Sequence, residues 1–114
     1  MMLLSLPTNL PARGERPPVI IRVGGNVQAK NLIRKVVPHY PQSARDQGIQ
    51  GTVEMTALIG LDGRILYLRQ ENGPVELIPA SLEAVRQWEY RPTMLNGKPS
   101  YVLTRIDVNY TLSQ

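Results

Sequence analysis

A chain of 114 residues with a net charge of +4 and no cysteine is long enough for one domain, and it excludes disulfides, thiolate metal sites and cysteine nucleophiles. Hydrophobic residues make up 42 % without a single Phe, so a core has to be built from Val, Ile, Leu, Met, one Trp and five Tyr. Lys and Arg are interspersed among acids in runs no longer than two, which reads as a solvated surface and not as a nucleic-acid stripe.

Met1–Leu6 is apolar but stops at Pro7. That is too short for a membrane span of ~20 residues and for the apolar core of a secretory signal. The expectation is a soluble piece of something longer, or a cytosolic chain. Pro7, Pro11, Pro17 and Pro18 surround Arg13–Arg16, a stretch that can bury little and reads as an extended linker. Val19–Val23 is a short strand candidate ending at a turn, Gly24-Gly25. Asn31–Val37 is a second extended candidate that runs into Pro38. Residues 1–35 are therefore expected to form a linker with a possible short N-terminal strand, and residues 36–114 the domain.

Tyr40 precedes a proline and is biased away from helical angles. Pro41 suits the first helical residue, and Gly48 the left-handed position after a two-turn helix. Val53, Met55, Ala57 and Ile59 alternate along a strand from Thr52 to Gly60. Asp62-Gly63 then predicts a two-residue hairpin in which both central residues take positive φ. Arg64–Gln70 is the return strand, and Asn72-Gly73-Pro74 ends it. From Val75 the period changes: Ile78, Leu82, Val85 and Trp88 form one helical stripe, which Pro92 stops beyond about Tyr90. After the turn at Asn96-Gly97, Tyr101–Leu112 alternates as a long final strand.

A right-handed crossover places that last strand beside the first strand of the hairpin, antiparallel to it. The predicted class is α+β: a three-stranded antiparallel sheet of order 2-1-3 with two helices on one face. The last strand would lie at an edge, and a long edge is a template for another strand.

Candidates for catalysis are lacking. His39 is the only histidine and has neither an acidic cluster nor a nucleophile motif beside it. Gly24-Gly25 lacks the context of a phosphate loop. No catalytic residue, metal site or cofactor is expected, and the chain does not read as an enzyme.

The blocks "PHYPQSARDQGIQGTV", "IGLDGRI", "AVRQWEYRP" and "NGKPSYVLTRIDVNYTL", in this order and spacing, resemble the C-terminal domain of TonB-type energy transducers over about Val36–Leu112. The resemblance implies a periplasmic domain of a Gram-negative envelope. In a longer native chain an inner-membrane helix would sit with ExbB and ExbD, which harvest the proton gradient. The domain would grip the TonB-box peptide of an outer-membrane transporter by strand addition. Carried onto this sequence, the receptor strand is Tyr101, Val102, Leu103, Thr104, Arg105, Ile106, Asp107 and Val108, with His39, Tyr40 and Pro41 close to the peptide. The alternative is an envelope scaffold or dimerisation domain without energy transduction, and a homodimer could compete for the same edge.

Overall fold

The computed structural model describes residues 19–112; the proline-containing linker expected before Val19 lies outside them. The elements in chain order are β1 (Ile20–Val23), α1 (Gly25–Gln28), β2 (Leu32–Arg34), α2 (Gln42–Asp46), β3 (Gly51–Ile59), β4 (Ile65–Asn72), α3 (Ile78–Val85), β5 (Glu89–Tyr90), β6 (Thr93–Leu95) and β7 (Lys98–Tyr110). This is an α+β fold. Among the described residues no helix is long and apolar enough to cross a membrane.

The main sheet runs β1-β7-β3-β4, with β6 attached to β7. It is larger than the three strands expected. β3 is paired on both sides, with β7 from Gly51↔Tyr110 to Ile59↔Val102 and with β4 along the hairpin. Outside β7 lies β1, added in parallel with Ile20↔Tyr101 through Val23↔Thr104. A second, two-stranded sheet joins β2 to β5.

Alternation decides the core. Val53, Met55, Ala57 and Ile59 of β3 are buried, and so are Val102, Thr104, Ile106, Val108 and Tyr110 of β7. Residues directly opposite in a ladder share a face, so these two sets form one apolar surface. Ala44 of α2 and Val85 of α3 belong to the same core, together with Leu77, Trp88 and Tyr90.

The short α2 ends as its sequence suggests. Gly48, at φ 68°, donates to the carbonyl of Arg45, and Ile49 donates to that of Ala44. These two bonds satisfy the last carbonyls in the Schellman pattern. Pro41 stands just before the helix, extended at ψ 136°, and not at its first position.

Two further expectations are corrected. The positive-φ pair is Asn96-Gly97 between β6 and β7, at 54° and 79°, whereas at Asp62-Gly63 only Gly63 is positive. The β3–β4 loop closes instead through Gly63 N–H to Gly60 O and Gly60 N–H to Arg64 O. This wider loop lets Gly63 touch β5. Tyr90 N–H donates to Gly63 O at 2.8 Å, and a Cβ built on Gly63 would overlap the Tyr90 carbonyl oxygen and lie 2.9 Å from its carbon. The third helix stops at Val85, so Trp88 lies outside it, in the link to β5. Its indole N–H donates to Val36 O at 2.8 Å, a bond that ties this link to the entry segment before α2.

Candidate peptide-binding edge

In a strand, successive residues turn their main-chain groups to opposite neighbours. Tyr101 N–H donates to Val19 O, so Tyr101 faces outward, toward β1. Leu103, Arg105, Asp107 and Asn109 follow by alternation. Val102, Thr104, Ile106 and Val108 turn their main chain to β3 instead, and their side chains into the core.

The outer edge of β7 thus has two halves. Over Tyr101–Thr104 it is occupied by β1. Thr104 adds a bond from its hydroxyl to Val23 O at 2.7 Å. At Arg105 the chain of β1 turns into α1. Gly25 passes so close that a Cβ there would sit 2.8 Å from Arg105 O. Beyond this point the outward main-chain groups belong to Asp107 and Asn109.

That second half borders a groove of about 520 Å³, within the range of ligand-binding clefts. Its walls are Asn26 of α1, Lys35 after β2, Trp88, and Arg105, Asp107 and Asn109 of β7 itself. Lys35 Nζ lies 5.7 Å from the centroid of the Trp88 ring, within cation–π range. The Arg105 guanidinium pairs with Glu54 across the β3–β7 ladder and reaches Asp107 at 3.4 Å. Its position is fixed by neighbours on the sheet, while Lys35 has an aromatic face as its partner.

The entry block divides. Tyr40 OH donates to Ile49 O, and its ring meets that of Tyr110 edge-on, with centroids 5.2 Å apart. The Arg45 guanidinium lies over the Tyr40 ring, 5.0 Å from its centroid. Tyr40 is therefore a clamp between the C-terminal end of β7 and the segment after α2. His39 is exposed. It lines, with Pro41, a separate cleft of about 320 Å³ against Glu83 and Gln87 of α3 and its following turn. The structure brings Tyr40 to β7 but turns His39 and Pro41 toward α3.

Tyr110 is 4 % exposed. Ser81 has one hydroxyl hydrogen, given to Leu77 O, so Tyr110 OH donates to Ser81 Oγ at 2.7 Å. Burial raises the pKa of Tyr110, and burial pushes that of Tyr90 up to about 12. Both phenols are kept neutral. Among the described residues no group of three or more His, Asp or Glu is placed to hold a metal ion.

Asn26 and Lys35 are not among the site residues the sequence points to, whereas Asn109 lies within the long final strand expected as the receptor. The signal for Asn109 was present, because the same alternation that buries Tyr110 turns Asn109 outward. Asn26 and Lys35 reach the groove only through the folding of residues 20–35 onto β7 and β5.

The comparisons with known proteins bear on family and fold. The family model for the Gram-negative bacterial TonB protein C-terminal region matches residues 36–112. Protein TonB of Vibrio cholerae is 32 % identical over 80 residues, which are 68 % of this chain and 33 % of that protein. Protein TonB of Xanthomonas campestris pv. campestris is 27 % identical over 78 residues, 67 % of this chain and 35 % of that protein. The chain thus spans about a third of the length of the curated relatives it matches. In fold it is similar to the solution structure of the Pseudomonas aeruginosa TonB C-terminal domain, with a TM-score of 0.62 at 22 % identity over 73 % of this chain and 86 % of the other. The TonB2 protein of Vibrio anguillarum gives a TM-score of 0.55 at 18 % identity over 100 % and 99 %. The chain belongs to the family of Gram-negative bacterial TonB C-terminal domains.

Proposed function

We propose that this domain couples energy to transport by capturing the TonB-box peptide of an outer-membrane transporter on the outer edge of β7. The peptide adds as a strand: main-chain bonds supply affinity, and alternate side chains supply selectivity. The observation that carries the reading is the pair of outward-facing residues, Asp107 and Asn109, bordering an open groove in a chain of this family. Family membership supports the wider role. In a longer, membrane-anchored chain the domain stands in the periplasm, and ExbB and ExbD supply the proton-gradient energy that the grip transmits. Lys35 at the groove favours a peptide that brings acidic or carbonyl groups to it.

The test is Asp107→Pro. Proline at an edge position removes one outward N–H and is otherwise tolerated there. It should weaken binding of a synthetic TonB-box octapeptide, measured by titration calorimetry, by about 5- to 10-fold per main-chain bond lost. Undiminished binding by a folded Asp107→Pro variant would refute capture at this edge. Ile106→Pro is not the equivalent test, because Ile106 turns its main chain to β3 and the change would break the central ladder.

A further inference from the structure

We propose that β1 is a built-in competitor for the receptor edge, and that a partner strand takes the full edge, Tyr101–Asn109, by displacing it. The inference rests on the edge-capture reading above and adds how that site is regulated.

β1 has four residues and a single paired side. The opposite neighbour of β7, β3, is paired with it over nine residues. β1 pairs in parallel, the geometry with the weaker bonds per residue. Ile20, 59 % exposed, and Arg22 point away from the core. Only Ile21 and Val23 pack against the core. The strand is thus held by its ladder, by the Thr104 hydroxyl on Val23 O and by two partly buried aliphatic side chains. It leaves the sheet directly at Gly24-Gly25, so it can detach without unravelling β7, β3 or the hairpin.

What β1 covers is half of the edge that a strand of ordinary length needs. Asp107 and Asn109 alone offer four outward main-chain groups, the length of a short bridge. A strand running from Tyr101 to Asn109 engages five outward residues. The seats vacated by Ile21 and Val23 lie two residues apart on the core side. The fitting partner is therefore an extended peptide with two aliphatic residues at alternate positions, long enough to continue past Thr104 into the groove. A minor detached state of 1–10 % lowers the apparent affinity by about 10- to 100-fold relative to an unmasked edge.

A reversible lock tests this. The chain has no cysteine, and Arg22 and Leu103 are register partners on the exposed face of the sheet. Adjacent strands lie ~4.8 Å apart, within reach of a disulfide. The full chain carrying Arg22→Cys and Leu103→Cys should bind the TonB-box octapeptide at least about 10-fold more weakly when oxidised than when reduced. The reduced form serves as the folding control. In the unlocked direction, Ile21→Pro removes the N–H that faces Tyr101 and should tighten binding by about 10- to 100-fold. Equal affinity of the oxidised and reduced forms overturns the masking proposal. If binding is then still lost in Asp107→Pro, capture on the free half stands without masking. Absence of binding in the oxidised, reduced and unsubstituted chains overturns both.

Discussion

Replacing Gly63 by alanine should destabilise this domain far more than a turn glycine ordinarily would. Gly63 has φ 85°, and an L-residue in the left-handed region costs ~1–2 kcal/mol. The new Cβ would also overlap the carbonyl oxygen of Tyr90. Relief requires β5 to move off the hairpin. That breaks the Tyr90 N–H to Gly63 O bond and the Arg64–Glu89 bridge, and shifts Tyr90, which is 3 % exposed. One lost main-chain bond contributes ~1 kcal/mol and repacking around an over-filled site ~1–3 kcal/mol. The sum is ~3–6 kcal/mol, which in a domain of this size lowers Tm by roughly 12–48 °C. Gly97 is the control. Its φ is 79°, but nothing lies within 4 Å of a Cβ built there. Gly97→Ala should therefore show the dihedral cost alone, ~1–2 kcal/mol. Thermal unfolding followed by far-UV circular dichroism compares the two. A Gly63→Ala variant that melts within a few degrees of Gly97→Ala would refute the claim that β5 is pinned to the hairpin at this glycine.

Other consequences can be checked by urea denaturation. Trp88→Phe shrinks the buried indole to a phenyl and leaves Val36 O without its donor, and should cost ~2–4 kcal/mol for the lost bond and the space left behind. Tyr110→Phe removes the hydroxyl that donates to Ser81, and should cost ~1 kcal/mol while leaving the Tyr40–Tyr110 ring contact in place. The pH dependence is set by buried phenols. The Tyr90 pKa rises to about 12 from the ordinary value of 10.0, and that of Tyr110 is raised as well. Above pH 10 the unfolded chain gives up these protons before the folded one does. Stability is therefore fully present below about pH 10 and declines as pH rises toward 12. Tyr90→Phe should flatten that decline; an unchanged slope would remove Tyr90 as its cause.

The parts legible in the sequence were those governed by local rules. Val53–Ile59 and Val102–Tyr110 declare their faces by alternation, and Pro41 with Gly48 brackets α2. The long final strand pairs with β3 as its alternation and the crossover predict, but it is not the open edge expected, because β1 covers its outer side over Tyr101–Thr104. What was not legible depended on distant partners. Val19–Val23 was recognisable as extended, but four residues carry no address. Their place beside Tyr101–Thr104 is set by a pairing some 80 residues away in the chain, which competes with solvent and with a partner strand. The apolar stripe runs to Trp88, one turn beyond the end of the helix at Val85. Trp88 is buried by its bond to Val36 and its packing on the core, so it continues the apolar spacing without continuing the helix. Asp62-Gly63 reads as a tight hairpin when its glycine is explained by φ alone. Its second reason, the approach of Tyr90, comes from the block after α3.

Backbone amide shifts on titrating the isotope-labelled full chain with a TonB-box octapeptide test the central claim most directly. Capture on the β7 edge predicts the largest shifts at Arg105–Asn109 and at Asn26 and Lys35 around the groove, together with shifts over Ile20–Val23 as β1 yields. Saturating peptide with no shift along Tyr101–Asn109, or shifts confined to the cleft between His39 and α3, would contradict it.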